Sequence, residues 1–262
     1  MTGSIRGVSF YTNVGSDKVI MRTKGGAKKK RIATGAEFAN LRKHQTEWSG
    51  CVQFAQAMRC AIGDTYRLAD YNLSPVWNGM GKKLLKMDTE NEAGSRRLRL
   101  SEYKQEFEGF NFNRKYPFTS ILKVSILSEL NRKTLQATVT VPRINTSNDL
   151  QNIQRLPYFR LIVCIGAVTD LKYNPDGLSS KYENAANDLQ GMSNSIVSEW
   201  HSTNDILPQH TISVGLRKEI PAMLTDDTTV LLSMGVEFGN VGFGGQINEV
   251  KRAGCGKILA SL

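Results

Sequence analysis

Hydrophobic and polar residues alternate with a period of two at the start of the chain, which is the pattern of a half-buried β-strand. The alternation runs over residues 5–12, breaks at turn-forming residues and resumes over residues 18–22. We therefore predict an N-terminal β-hairpin, and because an isolated hairpin is marginal in water it must pack against something. The residues that we expect to form this assembly arm are Val8, Phe10, Tyr11, Val19 and Met21.

A helical period follows a basic loop. Thr34 with Glu37 three residues later matches a capping box, and Ser74-Pro75 is the signature of a second helix start. Gly50 either lets the first helix pack closely or marks a break in it. The apolar residues that we expect on one face of the first helix are Phe38, Leu41, Trp48, Val52, Ala55, Met58 and Ile62.

After Phe118 the period becomes strand-like. We predict strands over residues 119–130, 134–141, 156–171, 210–216, 228–238 and 242–253. The polar segment 179–202 is ambiguous, with a helix over residues 182–192 as one alternative. The predicted class is α+β: an N-terminal hairpin and basic arm (1–33), a helical region (34–115), and an antiparallel β-sandwich of immunoglobulin-like or similar type (116–262). The aromatic residues around Phe107–Phe118 could stack nucleic-acid bases, but we favour packing of one region on the next.

Charge is distributed unevenly along the chain, whose net charge is +10. Residues 1–44 hold ten Lys or Arg residues against two Asp or Glu residues, whereas residues 116–262 hold thirteen of each. Such a basic end contacts nucleic acid, an anionic membrane or a neighbouring subunit, or else is a solvated loop. The residues that we expect to make the basic contact are Arg22, Lys24, Lys28, Lys29, Lys30 and Arg31.

Catalytic chemistry is not indicated by any motif. The three histidines have no nucleophile motif nearby, and the spacing of His201 and His210 is poor for a metal pair on one helix. The glycines of residues 239–245 indicate a turn or bulge rather than a phosphate loop. Asp88, Glu90 and Glu92 lie among lysines and arginines, which favours solvated ion pairs. We predict no catalytic residue, no metal site and no cofactor, and we expect all four cysteines to be buried free thiols.

The opening Gly7-Val8-Ser9-Phe10-Tyr11, a turn, then Val19, Arg22 and Lys24, precede a basic segment and a helix. This arrangement resembles the N-terminal region of a family of uncharacterised Bacteroidota proteins. The resemblance implies an immunoglobulin-like C-terminal β-region, no catalytic residue, and a similarity to phage-like particle and surface-structure proteins. Gly25-Gly26 departs from the proline-containing segment that the family pattern would place there.

Three functional hypotheses follow from these patterns. The first is a non-catalytic structural subunit that self-assembles into a filament, tube or phage-like particle through its hairpin arm. The second is a nucleic-acid-binding protein that acts through the basic N-terminal region. The third, which we favour least, is an enzyme whose site is not local in sequence. The expected partner is another copy of the chain, with nucleic acid or another acidic surface as an alternative.

Membrane insertion and secretion are not indicated by the sequence. No apolar run reaches the roughly 18 residues of a membrane helix, and the chain opens without a secretory signal pattern. We therefore expect no membrane span and a protein that is cytoplasmic as synthesised. A protein released as part of an assembled particle would have the same pattern.

Overall fold

The computed structural model describes residues 3–12, 17–23, 25–177, 181–185, 189–217 and 224–262. Two compact units divide the chain, Met1–Lys43 and His44–Leu262. Both helices and antiparallel sheets are present, so the α+β class is confirmed. The three-part division at residues 33 and 115 stays a prediction.

The first unit contains a three-stranded antiparallel sheet rather than a single hairpin. Its strands are β1 (Gly3–Ile5), β2 (Val8–Thr12) and β3 (Val19–Thr23), in the order β1-β2-β3. The predicted strand 5–12 is interrupted because Arg6 and Gly7 both have positive φ, 42° and 84°. Positive φ at both central residues is typical of the tight two-residue turns that join antiparallel strands. The Arg6-Gly7 turn therefore creates an additional strand.

The predicted basic loop is a short helix, α1 (Lys29–Thr34). The capping box predicted at Thr34 is wrong, because the Thr34 hydroxyl donates to the Lys30 carbonyl one turn earlier, at 3.0 Å. A 3₁₀ turn over Ala36–Phe38 then leads into the long helix α2 (Ala39–Ala61). The side chain of Glu37 pairs with Arg31, at 2.9 Å, instead of closing a cap.

The second unit contains most of α2 and the remaining elements of the chain. A short 3₁₀ helix follows α2 over Gly63–Leu68. The elements, in chain order, are α3 (Ser74–Met87), α4 (Phe118–Ile121), β4 (Leu127–Asn131), β5 (Gln136–Val141), β6 (Ile144–Asn145), α5 (Thr146–Asp149), β7 (Tyr158–Thr169), β8 (Leu171–Tyr173), β9 (Tyr182–Asn184), β10 (Ser193–Val197), β11 (His201–Ser202), β12 (Ile206–Leu207), β13 (His210–Gly215), β14 (Thr228–Val241), β15 (Ile247–Glu249) and β16 (Cys255–Ser261).

A six-stranded antiparallel sheet forms the centre of the second unit. Its order is β10-β7-β14-β15, with β11 also on β7 and β16 also on β14. The long strands β7 and β14 are buried on both faces, which explains why both are apolar with little alternation. The segment 182–192, for which a helix was one alternative, contains the short strand β9, which pairs with β8, while residues 186–188 of it lie outside the described residues.

One face of the six-stranded sheet packs against the three-stranded sheet β13-β5-β4. Alternate residues of β7 and β14 share this core, and directly paired residues lie on the same face. Val163 pairs with Met234 in the register of these strands, and Val139 of β5 is buried in the same cluster. Two sheets therefore enclose a single hydrophobic core.

The other face of the six-stranded sheet packs against α2 and α3. Gly166 of β7 makes close approach possible, because a Cβ there would lie 2.0 Å from the Ala61 carbonyl oxygen of α2. Gly50 is likewise a close-packing position, since a Cβ would lie 3.0 Å from the Tyr182 ring, and α2 continues through it unbroken.

The predicted apolar face of α2 is only partly correct. Trp48 and Val52 are 49 % and 44 % exposed. The buried face instead contains smaller residues, because the helix lies against the sheet at short range. Its fully buried or nearly buried members are Gly50, Cys51, Phe54, Ala55, Ala57, Met58 and Ala61.

A buried ion pair joins the sheet to the helical side. Glu237 of β14 is nearly inaccessible and lies directly across from Arg160 of β7. Arg160 Nε donates to Glu237 Oε2 at 2.7 Å, while Arg67 donates from Nε to Oε1 and from Nη2 to Oε2, at 2.7 and 2.9 Å. The Trp200 ring covers the Arg160 guanidinium at 4.1 Å. Both oxygens of the buried Glu237 carboxylate thus accept hydrogen bonds from guanidinium groups.

Candidate assembly surface

The sheet of the first unit has one apolar face. Met21 lies directly across from Phe10, and Val8 lies across from Ile5. Directly paired residues of an antiparallel sheet share a face, and so do residues two apart on one strand. The structure therefore brings four of the predicted arm residues to one face and adds Ile5, which the sequence did not single out. The members of this apolar face are Ile5, Val8, Phe10, Val19 and Met21.

Tyr11, the fifth predicted arm residue, lies on the opposite face. It pairs with Ile20, and Arg22 lies across from Ser9 on the same side. This face is more polar than the first one, although Tyr11 and Ile20 contribute apolar surface to it. The two faces therefore differ in what they can bind: one suits an apolar surface and the other a polar or mixed surface.

The apolar face is not covered. Met21 is 70 % exposed, Ile5 67 % and Val19 56 %. Among residues 3–12, 17–23 and 25–43, the described part of the first unit, none is classed as buried. A small sheet without a packed face has little free energy to offset the ordering of its chain. Such a sheet needs an apolar surface to cover it.

The other end of the first unit is held by hydrogen bonds rather than by a core. Arg42 Nη1 on α2 donates to the carbonyl oxygens of Ile32 and Gly35, at 2.7 and 2.8 Å. These two bonds satisfy carbonyls at the end of α1, where a helix has no partners of its own. The geometry fixes α1 beside the start of α2 without burying apolar surface.

The predicted basic residues lie on two elements. Arg22 is on β3, while Lys29, Lys30 and Arg31 are in the first turn of α1, directly after Lys28. Successive helical residues point about 100° apart, so these charges surround α1 instead of forming one stripe. Arg31 is engaged by Glu37. Lys24 lies outside the described residues.

In the acidic cluster Asp88, Glu90 and Glu92, Asp88 binds the surrounding backbone, which corrects the interpretation of this residue as part of a solvated ion pair. Asp88 is buried and accepts hydrogen bonds from the backbone N–H groups of Glu90, Asn91 and Arg97. Burial opposes ionisation, but these bonds and one from the Asn91 side chain outweigh it and hold the pKa of Asp88 below its ordinary value. Glu90 behaves as predicted, since it pairs with Arg99.

The four cysteines are free, and three of them are buried as predicted. Cys60 is exposed, which corrects the prediction for that residue. Burial raises the pKa values of Cys51 and Cys164 to about 11, so neither is an activated thiolate. Within the described ranges, no group of three or more His, Cys, Asp or Glu residues is arranged to hold a metal ion.

Two features of the second unit were not anticipated from the sequence. His201 and His210 come together, with 6.4 Å between ring centroids, although they lie on different sheets. Phe243 is fully exposed at the β14–β15 turn, where Gly244 and Gly245 have positive φ and confirm the predicted glycine turn. The glycines signalled the turn, but no local pattern signalled the meeting of the histidines.

In comparisons with known proteins, the chain matches no protein-family model, no curated protein and no solved structure. The resemblance of the N-terminal residues to a Bacteroidota family therefore stays an expectation. No helix in the described part of the chain has the length and apolar character needed to cross a membrane.

Proposed function

We propose that this protein is a non-catalytic structural subunit that self-assembles into a filament, tube or particle through its N-terminal arm. We define the arm as β1, β2 and β3 with α1. The observation that carries the proposal is the open apolar face of the arm sheet, in a unit whose described residues include no buried side chain. A second copy of the chain is the partner that we propose for this face.

The open edge of the arm supports a second mode of contact. β3 is an outer strand of five residues, and β1, the other outer strand, has three. An unpaired outer strand can add a strand from a neighbour through main-chain hydrogen bonds. Arg22 on β3 supplies the kind of charge that limits indiscriminate pairing. A neighbour could therefore be bound both by the face and by the edge of the same sheet.

Charge favours contact between an arm and the body of another copy over contact between two arms. Residues 1–44 are strongly basic, whereas residues 116–262 carry equal numbers of basic and acidic residues. Two arms would repel each other, but an arm against a neutral body would not. An arm-to-body contact is heterologous, and repeated heterologous contacts make rings or open filaments. This is the kind of assembly that we propose.

Met21→Lys tests the proposal, with Ser9→Lys as the matched control. Both changes add one positive charge to the arm sheet, but Met21 is on the apolar face and Ser9 on the other. Burying a methionine contributes about 1.5–3 kcal/mol, so the concentration for half-assembly should rise about tenfold to a hundredfold in the Met21 variant. Light scattering after size exclusion and negative-stain microscopy of the full chain measure this.

Ser9→Lys should assemble like the wild type if the apolar face is the contact. Circular dichroism and thermal unfolding establish that both variants fold. A wild-type protein that stays monomeric at every concentration and salt would refute self-assembly. Equal effects of the two variants would leave assembly intact but would refute the assignment of the apolar face.

Nucleic-acid binding is a second candidate function, favoured by the lysines around α1. Lys28, Lys29 and Lys30 are exposed, and no hydrogen bond or ion pair of their side chains is seen within the described residues. Binding through them should weaken steeply with salt, and replacing all three by Gln should reduce the slope of log K against log salt by about three. Fluorescence anisotropy with a DNA duplex measures the slope, and an unchanged slope would refute this function.

We also propose that the two facing sheets of the second unit are a β-sandwich of immunoglobulin-like type. Their shared core, which includes Val139, Val163 and Met234, supports the sandwich. The immunoglobulin-like type itself has less support than the sandwich, because helices cover the outer face of the larger sheet.

We likewise propose that the protein is synthesised in the cytoplasm and that it belongs to the Bacteroidota family. Cell fractionation of the native host tests the first of these.

A further inference from the structure

His201 and His210 meet at the base of a connection that crosses from one sheet to the other. His201 is on β11, which pairs with β7 of the six-stranded sheet. His210 begins β13, which pairs with β5 of the three-stranded sheet. The ten residues from 201 to 210 therefore leave one sheet and enter the next, and the two rings lie 6.4 Å apart, centroid to centroid, where the connection begins and ends.

Both rings face the core between the sheets. His201 lies directly across from Phe159, which is fully buried in that core, and the two rings are 5.7 Å apart. His210 lies across from the buried Val141, and it alternates with Ile212, an inward residue of β13. The histidines therefore occupy positions at the end of the core that apolar residues fill elsewhere.

The His210 ring is only partly satisfied. Its Nδ1 is 3.2 Å from the Pro208 carbonyl oxygen, whereas its Nε2 is inaccessible and finds no hydrogen-bond partner within the described part of the chain. Two imidazolium rings 6.4 Å apart, centroid to centroid, would repel each other.

We propose that His201, whose ring packs beside Phe159 and His210, is an acid-sensitive latch, which holds the two sheets together at the base of the 201–210 connection while this ring is neutral. Acidification charges His201 and loosens β11, β12 and β13 at this end of the core. The proposal concerns the second unit and does not depend on assembly by the arm.

The charged groups around the rings are few among the described residues. His210 opposes protonation of His201, and Glu199, two residues earlier on the chain, favours it. On β7 the nearest charged residue is Arg160, whose side chain points to the other face of the sheet and binds Glu237. On β5 the neighbour of His210 is apolar. Among the described residues, Glu199 is thus the carboxylate that favours the charged form of His201.

The direction of the pH effect follows from His201. Burial, and then His210, hold the pKa of His201 below its ordinary value. The folded state therefore binds this proton less readily than the unfolded state does. The contribution to stability is complete above the unfolded pKa of about 6.5, and it is lost as the pH falls from there towards the folded pKa. Mild acid is the condition that opens the latch.

Hydrogen exchange of the full-length chain tests the latch. We compare the wild type with His201→Gln/His210→Gln at about pH 7.5 and about pH 5.5, with rates corrected for the intrinsic effect of pH. His44→Gln is the matched control, because His44 is exposed on α2. In the wild type and the control, amides of residues 201–215 should exchange faster at the lower pH, relative to β7 and β14, because charging His201 favours the open state.

The double variant should lose this acceleration. Equal acceleration in the double variant would refute the latch. If the double variant does not fold, the wild type alone still tests the latch. Wild-type exchange that is unchanged by pH, or that accelerates evenly along the chain, would also refute the latch. A monomeric wild type would refute the assembly proposal and leave this result unaffected.

Discussion

Glu237→Gln is the most direct test of how the second unit is held together. The change keeps the shape of the side chain but removes the charge that two guanidinium groups share. The Arg67 side chain is 39 % exposed and the Arg160 side chain 19 %, so water can reach both in part. Removing one partner of a buried ion pair costs about 3–5 kcal/mol, and this partial exposure places the expected loss near the lower end, at about 3 kcal/mol.

A loss of that size is measurable by equilibrium unfolding in urea and by calorimetry. It is a large part of the 5–15 kcal/mol that is typical of a folded domain, and it corresponds to a decrease in Tm of about 6–12 °C for a chain of this length. Glu129→Gln is the control, because Glu129 is exposed on β4 and its replacement should change stability by less than about 0.5 kcal/mol.

A double-mutant cycle shows whether the loss comes from the ion pair. Arg160→Met in the Glu237→Gln background should cost less than Arg160→Met alone, because the buried carboxylate that would lose one of its two guanidinium partners is already absent. If Glu237→Gln unfolds within about 1 kcal/mol of the wild type, the pairing contributes little, and the reasoning from buried charge is refuted.

Two further predictions concern Asp170 and Gly166. Burial raises the pKa of Asp170 to about 6, so the folded state holds this proton more tightly, and its stabilisation is lost as the pH rises from about 4 to about 6. Asp170→Asn should remove that loss from the urea midpoint over this range, whereas Asp176→Asn, an exposed control, should retain it. Gly166→Ala should destabilise by about 1–3 kcal/mol, because its Cβ would overlap the backbone of Ala61. Gly79→Ala, in an open helical position, should instead stabilise by up to about 1 kcal/mol in the same urea measurement.

The pattern of residues along the chain predicted the long strands β5, β7, β13 and β14, because strand periodicity is a local property, but it missed β10 and β16 of the six-stranded sheet. The burial of β7 and β14 on both faces was indicated by their apolar composition. The third strand of the arm was missed because the Arg6-Gly7 turn is too short to interrupt the pattern visibly.

The face of α2 was harder to predict because its buried residues are small. Trp48 and Val52 dominate a count of hydrophobic positions, yet the helix buries Cys51 and Phe54, which lie beside Gly81 of α3. The close approach of Ala61 to the sheet depends on Gly166, which is more than 100 residues away in sequence. A helix that lies this close to a sheet selects small side chains, and only the tertiary contact reveals the selection.

The candidate surfaces, too, were predicted only where the sequence pattern is local. The apolar side of the arm follows from local alternation, so four of its five members were predicted from the sequence. The histidine pair depends on a crossover between sheets, which no spacing rule on a single helix or strand describes. Thr34 shows the converse error, because its match to a capping motif was local, whereas the structure places Thr34 in the last turn of α1.

The pairing of β7 with β14 has a consequence for how the chain acquires its structure. Thr169 pairs with Thr228, and Tyr158 pairs with Gly239, so the central strands join only after a long intervening segment has been made. The arm, in contrast, uses contacts that are close in sequence, but its sheet stays marginal until an apolar surface covers it. Folding rates fall as contacts become more distant in sequence. We therefore expect a nascent chain in which the apolar face of the arm and the unpaired strand β7 are exposed at the same time, an interval when aggregation is favoured and chaperones are needed most.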